Sequence, residues 1–277
     1  MKNSPSHVKD FPDLNFVTPL FQAHAHNDYE HPTPLFDALA EGFTSIEVDV
    51  HLINGELYVN HLRPIFPNKE RTLTKLYLAP LFDGYRRSNG RFFPTSDSPI
   101  QLMIDIKTNK NRTYAKLKEV LQPYEEMLTY WEENVAYPSA VSIILSGHRP
   151  IEKVLAEKKR FVQVDGRIRD IGKNYAPELM PMISDKFSKV CGWSIFSKKP
   201  NKEKLEKMNQ LAQKIHQEGK KFRLWKSPED TFVWETMLNQ GVDIINTDSL
   251  NLLSNFLLEK MPKTPLANSP TNSATKK

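Results

Sequence analysis

The run Gly42-Phe-Thr-Ser-Ile-Glu-Val-Asp-Val50 governs how the rest of the chain is read. Its β-branched and apolar residues predict a strand over Thr44–Val50. Side chains alternate on a strand, so Glu47 and Asp49 share one face while Val48 and Val50 take the other. Two carboxylates side by side repel each other. A bound cation relieves that repulsion, and hard oxygen ligands suit one divalent ion, Mg²⁺ or Ca²⁺. Working outward, His24-Ala-His26-Asn27-Asp28 lies shortly before this strand and His61 shortly after it. Asn54-Gly55 is a hairpin signal, so Leu57–Asn60 is expected to return antiparallel and carry His61 back towards Asp49.

Further along, Ile100–Ile106 reads as another strand, and in its run Gln101-Leu-Met-Ile-Asp-Ile-Lys107 Asp105 and Lys107 share one face between apolar neighbours. Buried charges are normally paired or metal-bound. Asp105 is therefore a candidate third acidic ligand, and Lys107 a fixed positive charge near an anion. A buried Asp–Lys structural pair is the plainer alternative. Other strands are expected at Leu20–His24, Val141–Leu145, Phe161–Val164, Val190–Phe196, Phe222–Trp225 and Ile244–Thr247. Helices are expected at Pro34–Glu41, Leu73–Tyr85, Arg112–Asn134 with a break at Pro123, Asn201–Glu218, Phe232–Asn239 and Ser249–Glu259. Eight βα repeats in about 240 residues is the count of a (β/α)₈ TIM barrel. A doubly wound open sheet is the rival. In a barrel the candidate residues fall together, because Asn27, Asp49, Asp105, Lys107, Trp225 and Asp248 all lie at or after strand C-termini.

Two readings of the histidines are open. In one, His26 is an acid–base group, Asn27 a metal ligand through its amide oxygen, and His24 a supporting or substrate-binding residue. In the other, His24 and His26 both hold metal, as in amidohydrolase-type barrels, with Asp248 as partner. That reading needs histidines at the ends of strands five and six, where Asp165-Gly166 and Ser197-Lys198 stand instead. Trp225 ends an apolar strand, where a core role competes with substrate stacking.

Composition narrows the field. The chain of 277 residues has 39% apolar content and a net charge of +5. Lys263, Lys276 and Lys277 supply three of those charges from a tail without acids, so the rest is near +2, and no nucleic-acid surface is expected. One cysteine, Cys191, excludes an internal disulfide and a cysteine metal cluster. No run is apolar and long enough to span a bilayer, and the first residues lack a signal-type apolar stretch, so a cytoplasmic protein is expected as written. Residues 1–13 are expected to be loose, 14–260 to form the barrel with 62–99 as a flap over the site, and 261–277 to be a disordered polar tail making at most weak contact with anionic membranes.

Taken together, His26-Asn27, Glu47-x-Asp49, His61, Ile104-Asp-Ile-Lys107 and Gly241-Val-Asp-Ile-Ile-Asn-Thr-Asp248 resemble the PI-PLC-like phosphodiesterases. That superfamily includes glycerophosphodiester phosphodiesterases, phosphatidylinositol-specific phospholipases C and sphingomyelinase-D-like enzymes. The likeness extends to the family named for the altered inheritance of mitochondria protein of fungi, through His24-Ala-His-Asn-Asp-Tyr29, Pro34-Leu35, Gly42–Val50 and Thr72-Leu-Thr-Lys-Leu-Tyr-Leu-Ala-Pro-Leu81. It spans roughly residues 20–258. It implies a PLC-like barrel, one divalent metal and hydrolysis of a glycerophosphodiester or phospholipid-type substrate. Within that reading His26 and His61 are the acid–base pair, assisted by Lys107. Glu47, Asp49, Asp105 and Asn27 hold the metal, and His24 and Trp225 face the substrate. The His-Arg-Gly opening of glycerophosphodiesterases is missing, and their usual Glu is Asp105 here. The nucleophile is left open between a substrate hydroxyl next to the phosphate and water. A non-catalytic phosphoester-binding barrel is the alternative outside enzymology.

Overall fold

The computed structural model describes residues 11–133, 135–191 and 201–262. Eight parallel strands run β1 Leu20–Ala25, β2 Phe43–Ile53, β3 Ile100–Ile106, β4 Val141–Gly147, β5 Val162–Gly166, β6 Met182–Lys186, β7 Lys221–Trp225 and β8 Ile244–Thr247. Each pairs with the next, and β1 pairs with both β2 and β8, so the sheet closes into a (β/α)₈ barrel. The open-sheet rival is thereby excluded.

Period-two alternation divides the molecule into an inner and an outer layer. On β2, Ile46, Val48 and Val50 face outward into the main core, where Leu102, Ile104, Leu117, Ile143 and Leu145 also lie. The inner residues of β2 are Ser45, Glu47 and Asp49. A separate small cluster of Met103, Ile144, Met182 and Ile244 fills the barrel interior. Register places Glu47 beside Met103 and Asp49 beside Asp105, and Asp105 beside Ser146. Apolar side chains thus occupy the interior below, and carboxylates the C-terminal end, where barrel enzymes carry their sites.

Strand β2 runs past the barrel rim into a hairpin. Asn54 and Gly55 have φ of 49° and 84°, the left-handed pair of a tight two-residue turn. Glu56–Val59 returns antiparallel, with Val59 opposite Val50. Helices begin where caps predict. Asn109 accepts from the backbone of Asn111 and Arg112 ahead of Lys110–Leu121, and Asp230 from Phe232 and Val233 ahead of Thr231–Asn239. Asn201 caps Lys202–Gln217, whose Met208, Ala212 and Ile215 face the core.

Two expectations need correction. The sixth strand is Met182–Lys186, not Val190–Phe196; Val190 ends a short helix at Phe187–Val190, and 192–196 lie outside the described residues. The true strand was hidden by its polar inner residue Ser184, which left only Met182-Ile183 as an apolar signal. The long helix over Arg112–Asn134 stops at Leu121. It continues as a 3₁₀ segment from Gln122 through Pro123 to Met127, then as a strand at Tyr130–Glu132. Proline removes a helix donor and clashes with the preceding turn, which accounts for the break. The segment 62–99 contains a wide π-type turn, Thr74–Leu78, leading into a helix at Ala79–Arg87. Tyr77 from this turn donates to Asp28 at 2.8 Å and Phe82 packs edge-on against Tyr124. This helical part therefore braces the flank of the barrel.

Gly147 closes β4 with φ of 64°, and an added Cβ would press on Asp105 Oδ1 and lie 2.6 Å from the Ile106 carbonyl. Gly55 also has a left-handed φ but has nothing within 4 Å. Gly55→Ala should cost about 1 kcal/mol of backbone strain alone. Gly147→Ala adds a clash and should cost about 2 kcal/mol or more, a fall in Tm of about 4 °C or more. Equal thermal melts for the two variants would show that the contact with Asp105 is unimportant.

Candidate active site

The site grows from the inner face of β2. Glu47 is buried, and its Oε2 receives Arg223 Nη2 at 2.5 Å and lies 2.9 Å from His24 Nε2. Arg223 is anchored in turn by Asn246 Oδ1, at 3.0 Å from Nε and 2.7 Å from Nη2. Burial opposes ionisation of Glu47, but Arg223 and His24 hold its carboxyl well below the usual range. The Ser45 hydroxyl donates to His24 Nδ1 at 2.7 Å, which leaves the Nε2 proton for Glu47. Burial, with Arg223 nearby, lowers the His24 pKa to about 4, so the ring is neutral.

His24 is fully buried and both of its ring nitrogens are engaged. It therefore positions Glu47, which fits the supporting role expected of it and not the substrate-binding one. The same geometry opposes the amidohydrolase-type reading, because no lone pair of His24 is left for a metal. At the observed end of β6 stand Asp185 and Lys186, again without a histidine.

Asp49 and Asp105 complete an acidic trio with Glu47, each offering a carboxylate oxygen within 4.8 Å of the others. Lys107 Nζ lies 3.1 Å from Asp49 Oδ2 and 3.3 Å from Asp105 Oδ1. Burial works against the Lys107 charge, but Asp105 and Asp49 raise its pKa. Burial, reinforced by Glu47, pushes the Asp105 carboxyl up to about 6. Asp49 Oδ1 is buried and accepts no hydrogen bond, and buried Asp105 Oδ1 has only the Lys107 ion pair. Crowded, under-satisfied carboxylate oxygens are the donor set that a hard divalent cation fits.

The two catalytic candidates flank this trio. His26 Nδ1 lies 2.7 Å from Asp248 Oδ1. Burial lowers the His26 pKa, but Asp248 and then Glu47 outweigh it and the net shift is upward. The Asp248 backbone is held by Glu229 Oε1 at 3.0 Å. The β2 hairpin delivers His61 as expected: its Nδ1 is 3.3 Å from Asp49 Oδ2. Asn27, in a left-handed conformation with φ of 47°, presents its amide oxygen to the Tyr29 hydroxyl at 2.8 Å. That hydroxyl also lies 2.8 Å from Asp49 Oδ2.

His26, Asn27, Glu47, His61, Asp105, Lys107 and Trp225 line one cavity of about 810 Å³ at the C-terminal end of the barrel. Asp49 lies beneath its floor, fully buried. Tyr29 links Asn27 to Asp49. Two residues were missed by sequence reasoning. Arg223 neutralises Glu47. Arg167 also lines the cavity and pairs with Asp165 Oδ2 at 2.5 Å. The signal for Arg223 was present: a charge between Phe222 and Leu224 on an apolar strand, as for Lys107.

A family model described as the AIM6-like phosphodiesterase domain matches residues 14–165, more than half of the chain, and the chain belongs to that family. A homolog of altered inheritance of mitochondria protein 6 from Arthroderma benhamiae is 28% identical over 261 residues, covering 84% of this chain and 82% of its own length. Altered inheritance of mitochondria protein 6 from Lachancea thermotolerans is 27% identical over 293 residues, covering 87% and 68%. Among solved structures, a glycerophosphodiester phosphodiesterase from Agrobacterium tumefaciens aligns over 84% of this chain and 97% of its own, with a TM-score of 0.46 and 14% identity.

Removing one member of a buried ion pair strands the other, at a cost of about 3–5 kcal/mol. Arg223→Met should therefore destabilise the fold by roughly that amount in urea unfolding. Adding Glu47→Gln should recover part of the loss, since the stranded charge is gone. Additive losses in the double-mutant cycle would show that the two residues do not act as a pair.

Proposed function

We propose that this member of the AIM6-like phosphodiesterase domain family is a metal-dependent phosphoric diester hydrolase acting on a glycerophosphodiester or phospholipid-type substrate. The observation that carries this reading is the pairing of His26 and His61 around one cavity that also contains Glu47, Asp105 and Lys107. Two imidazoles about an acidic, lysine-bearing floor supply what in-line displacement at a phosphodiester requires: a base, an acid and charge stabilisation.

Glu47, Asp49 and Asp105, with the Asn27 amide oxygen, would hold one Mg²⁺ or Ca²⁺. When bound, such an ion supplies electrophilic stabilisation to a non-bridging phosphate oxygen. The chain's own residues do the rest. Lys107 offers a donor to the phosphate from between Asp49 and Asp105. Nδ1 of His26 is committed to Asp248 and Nδ1 of His61 faces Asp49. In each ring Nε2 is the nitrogen left for proton transfer. One imidazole takes a proton from the nucleophile, either a neighbouring substrate hydroxyl or water; the other gives a proton to the departing alkoxide. Trp225, on the cavity wall, offers an aromatic face to the alcohol portion of the substrate.

Two experiments test this. A panel of phosphodiesters assayed after chelation should show no turnover, with activity returning on addition of Mg²⁺ or Ca²⁺. Full activity in a verified metal-free preparation would reject the metal role. Separately, His26→Ala and His61→Ala should each lower turnover by ~10²–10⁴-fold on an alkyl phosphodiester. A p-nitrophenyl diester needs little protonation on departure, so the variant lacking the acid should be partly rescued on it and the variant lacking the base should not. Near wild-type rates for both variants on both substrates would place the chemistry elsewhere.

A further inference from the structure

The loop that follows His61 has a composition that the catalytic reading does not use. It runs Leu62-Arg-Pro-Ile-Phe-Pro67, and Leu62, Ile65 and Phe66 are 73%, 87% and 90% exposed. Isolated exposed apolar side chains are ordinary, but three on one short loop mark a contact surface. Pro64 and Pro67 bracket the tip and restrict its backbone, which reduces the ordering cost of presenting it. The loop is tied at its base by Asn60, whose side-chain amide donates to the Leu62 carbonyl at 2.6 Å.

Beside the tip lies a groove of about 1370 Å³ between the β2 hairpin and the start of the helix Lys110–Leu121. Arg63, Lys110, Arg112 and Arg169 line it. All four are exposed, and none forms an ion pair among the described residues. Of the two acids on its wall, Glu119 is already paired with Lys116. Lys107 lines both this groove and the catalytic cavity. One short loop thus supplies His61 to the cavity, Arg63 to the groove and an apolar tip to solvent.

We infer that the Leu62–Phe66 tip and the groove cations form a docking surface for an anionic lipid bilayer, with the tip entering the interface and the cations meeting anionic headgroups. An apolar wedge flanked by uncompensated positive charge is complementary to that surface. A soluble protein partner would be expected to offer carboxylates to the same cations, but the exposed Ile65 and Phe66 would then need a matching apolar pocket. The position also explains why the tip adjoins His61, since docking there presents headgroups at the cavity mouth. The inference rests on the phosphodiester reading only for what the bilayer delivers. Its test reads binding rather than turnover, so the two can fail separately.

The full chain is pelleted with phosphatidylcholine vesicles, with and without about 30% phosphatidylserine, at about 0.1 M salt. The wild type should bind the anionic vesicles and bind phosphatidylcholine alone more weakly. Ile65→Ser/Phe66→Ser should lower the partition coefficient by about tenfold or more while its melt stays unchanged. Arg63→Gln/Arg169→Gln should lower the anionic preference severalfold, with Lys110 and Arg112 supplying what remains. As an independent check, a Phe66→Trp variant should shift its fluorescence to the blue on anionic vesicles. Absence of wild-type binding would overturn the inference. So would undiminished binding by the loop variant, which would assign attachment to another surface such as the tail lysines. A self-associated wild type that Ile65→Ser/Phe66→Ser renders monomeric would overturn it in favour of an interface between copies of this chain.

Discussion

The buried pair of Glu47 and Arg223 is the contact on which the site depends. A carboxylate on the inner face of a barrel strand is not stable alone in that environment. Arg223 reaches it from β7 at 2.5 Å, and Asn246 on β8 fixes the guanidinium. The pair therefore joins the second strand to the seventh across the barrel interior. It also fixes the charge balance at the C-terminal end. Glu47, Asp49 and Asp105 are opposed there by Arg223 and Lys107, three negative groups against two positive. Burial beside the other acids raises the Asp105 carboxyl to about 6, which is where that imbalance is expressed.

Much of this arrangement is local and therefore legible in the sequence. Strand alternation alone places Glu47 and Asp49 on one face. The left-handed turn preferred by Asn54-Gly55 folds the chain back, and so His61 could be assigned to the neighbourhood of Asp49 without knowing the fold. Asp105 and Lys107 follow from a charged pair in an apolar strand. What was not legible depends on closure of the barrel. The partner of Arg223 lies 176 positions away, and nothing in Phe222-Arg-Leu-Trp225 names it. The sixth strand carries Ser184 on its inner face, donating to Asp165 Oδ1 at 2.5 Å, so its apolar signal is too short to outweigh the β-prone run that follows it. Which of its two expected roles His24 takes is hidden for a related reason. Its spacing from His26 suggests a shared role, yet one ring ends among Ser45 and Glu47 and the other faces the cavity.

The same economy of elements organises the rim. The β2 hairpin extends a barrel strand beyond the sheet, and everything it carries is displaced towards solvent at the site. His61 is 60% exposed at the side-chain level although it contacts a fully buried Asp49. The residues that follow inherit this position, which sets Arg63 against the basic groove and leaves Ile65 and Phe66 outside the core. By contrast, the helix at Ala79–Arg87 is tied back to the barrel through Tyr77 and Phe82. The segment after β2 thus divides into a projecting tip and an anchored helix.

Donors are scarce around Asp49. The Tyr29 hydroxyl has one proton and two oxygen acceptors at 2.8 Å, Asn27 Oδ1 and Asp49 Oδ2. Serving one leaves the other without it. Burial, reinforced by the Asp49 charge, raises the Tyr29 pKa, so the phenol keeps its single proton. Asp49 Oδ1 is also buried without a donor, and Asp105 Oδ1 has only the Lys107 ion pair. The protein does supply cations, but Arg223 is turned towards Glu47 and Asn246, and Lys107 is shared between Asp49 and Asp105. Acceptors therefore outnumber donors at one point of the barrel rim, in the trio that cannot spread apart because its strands are held in register. A divalent cation held by these carboxylates would supply the positive charge that the proposed metal-dependent reading calls for, and it would do so without a proton to lose.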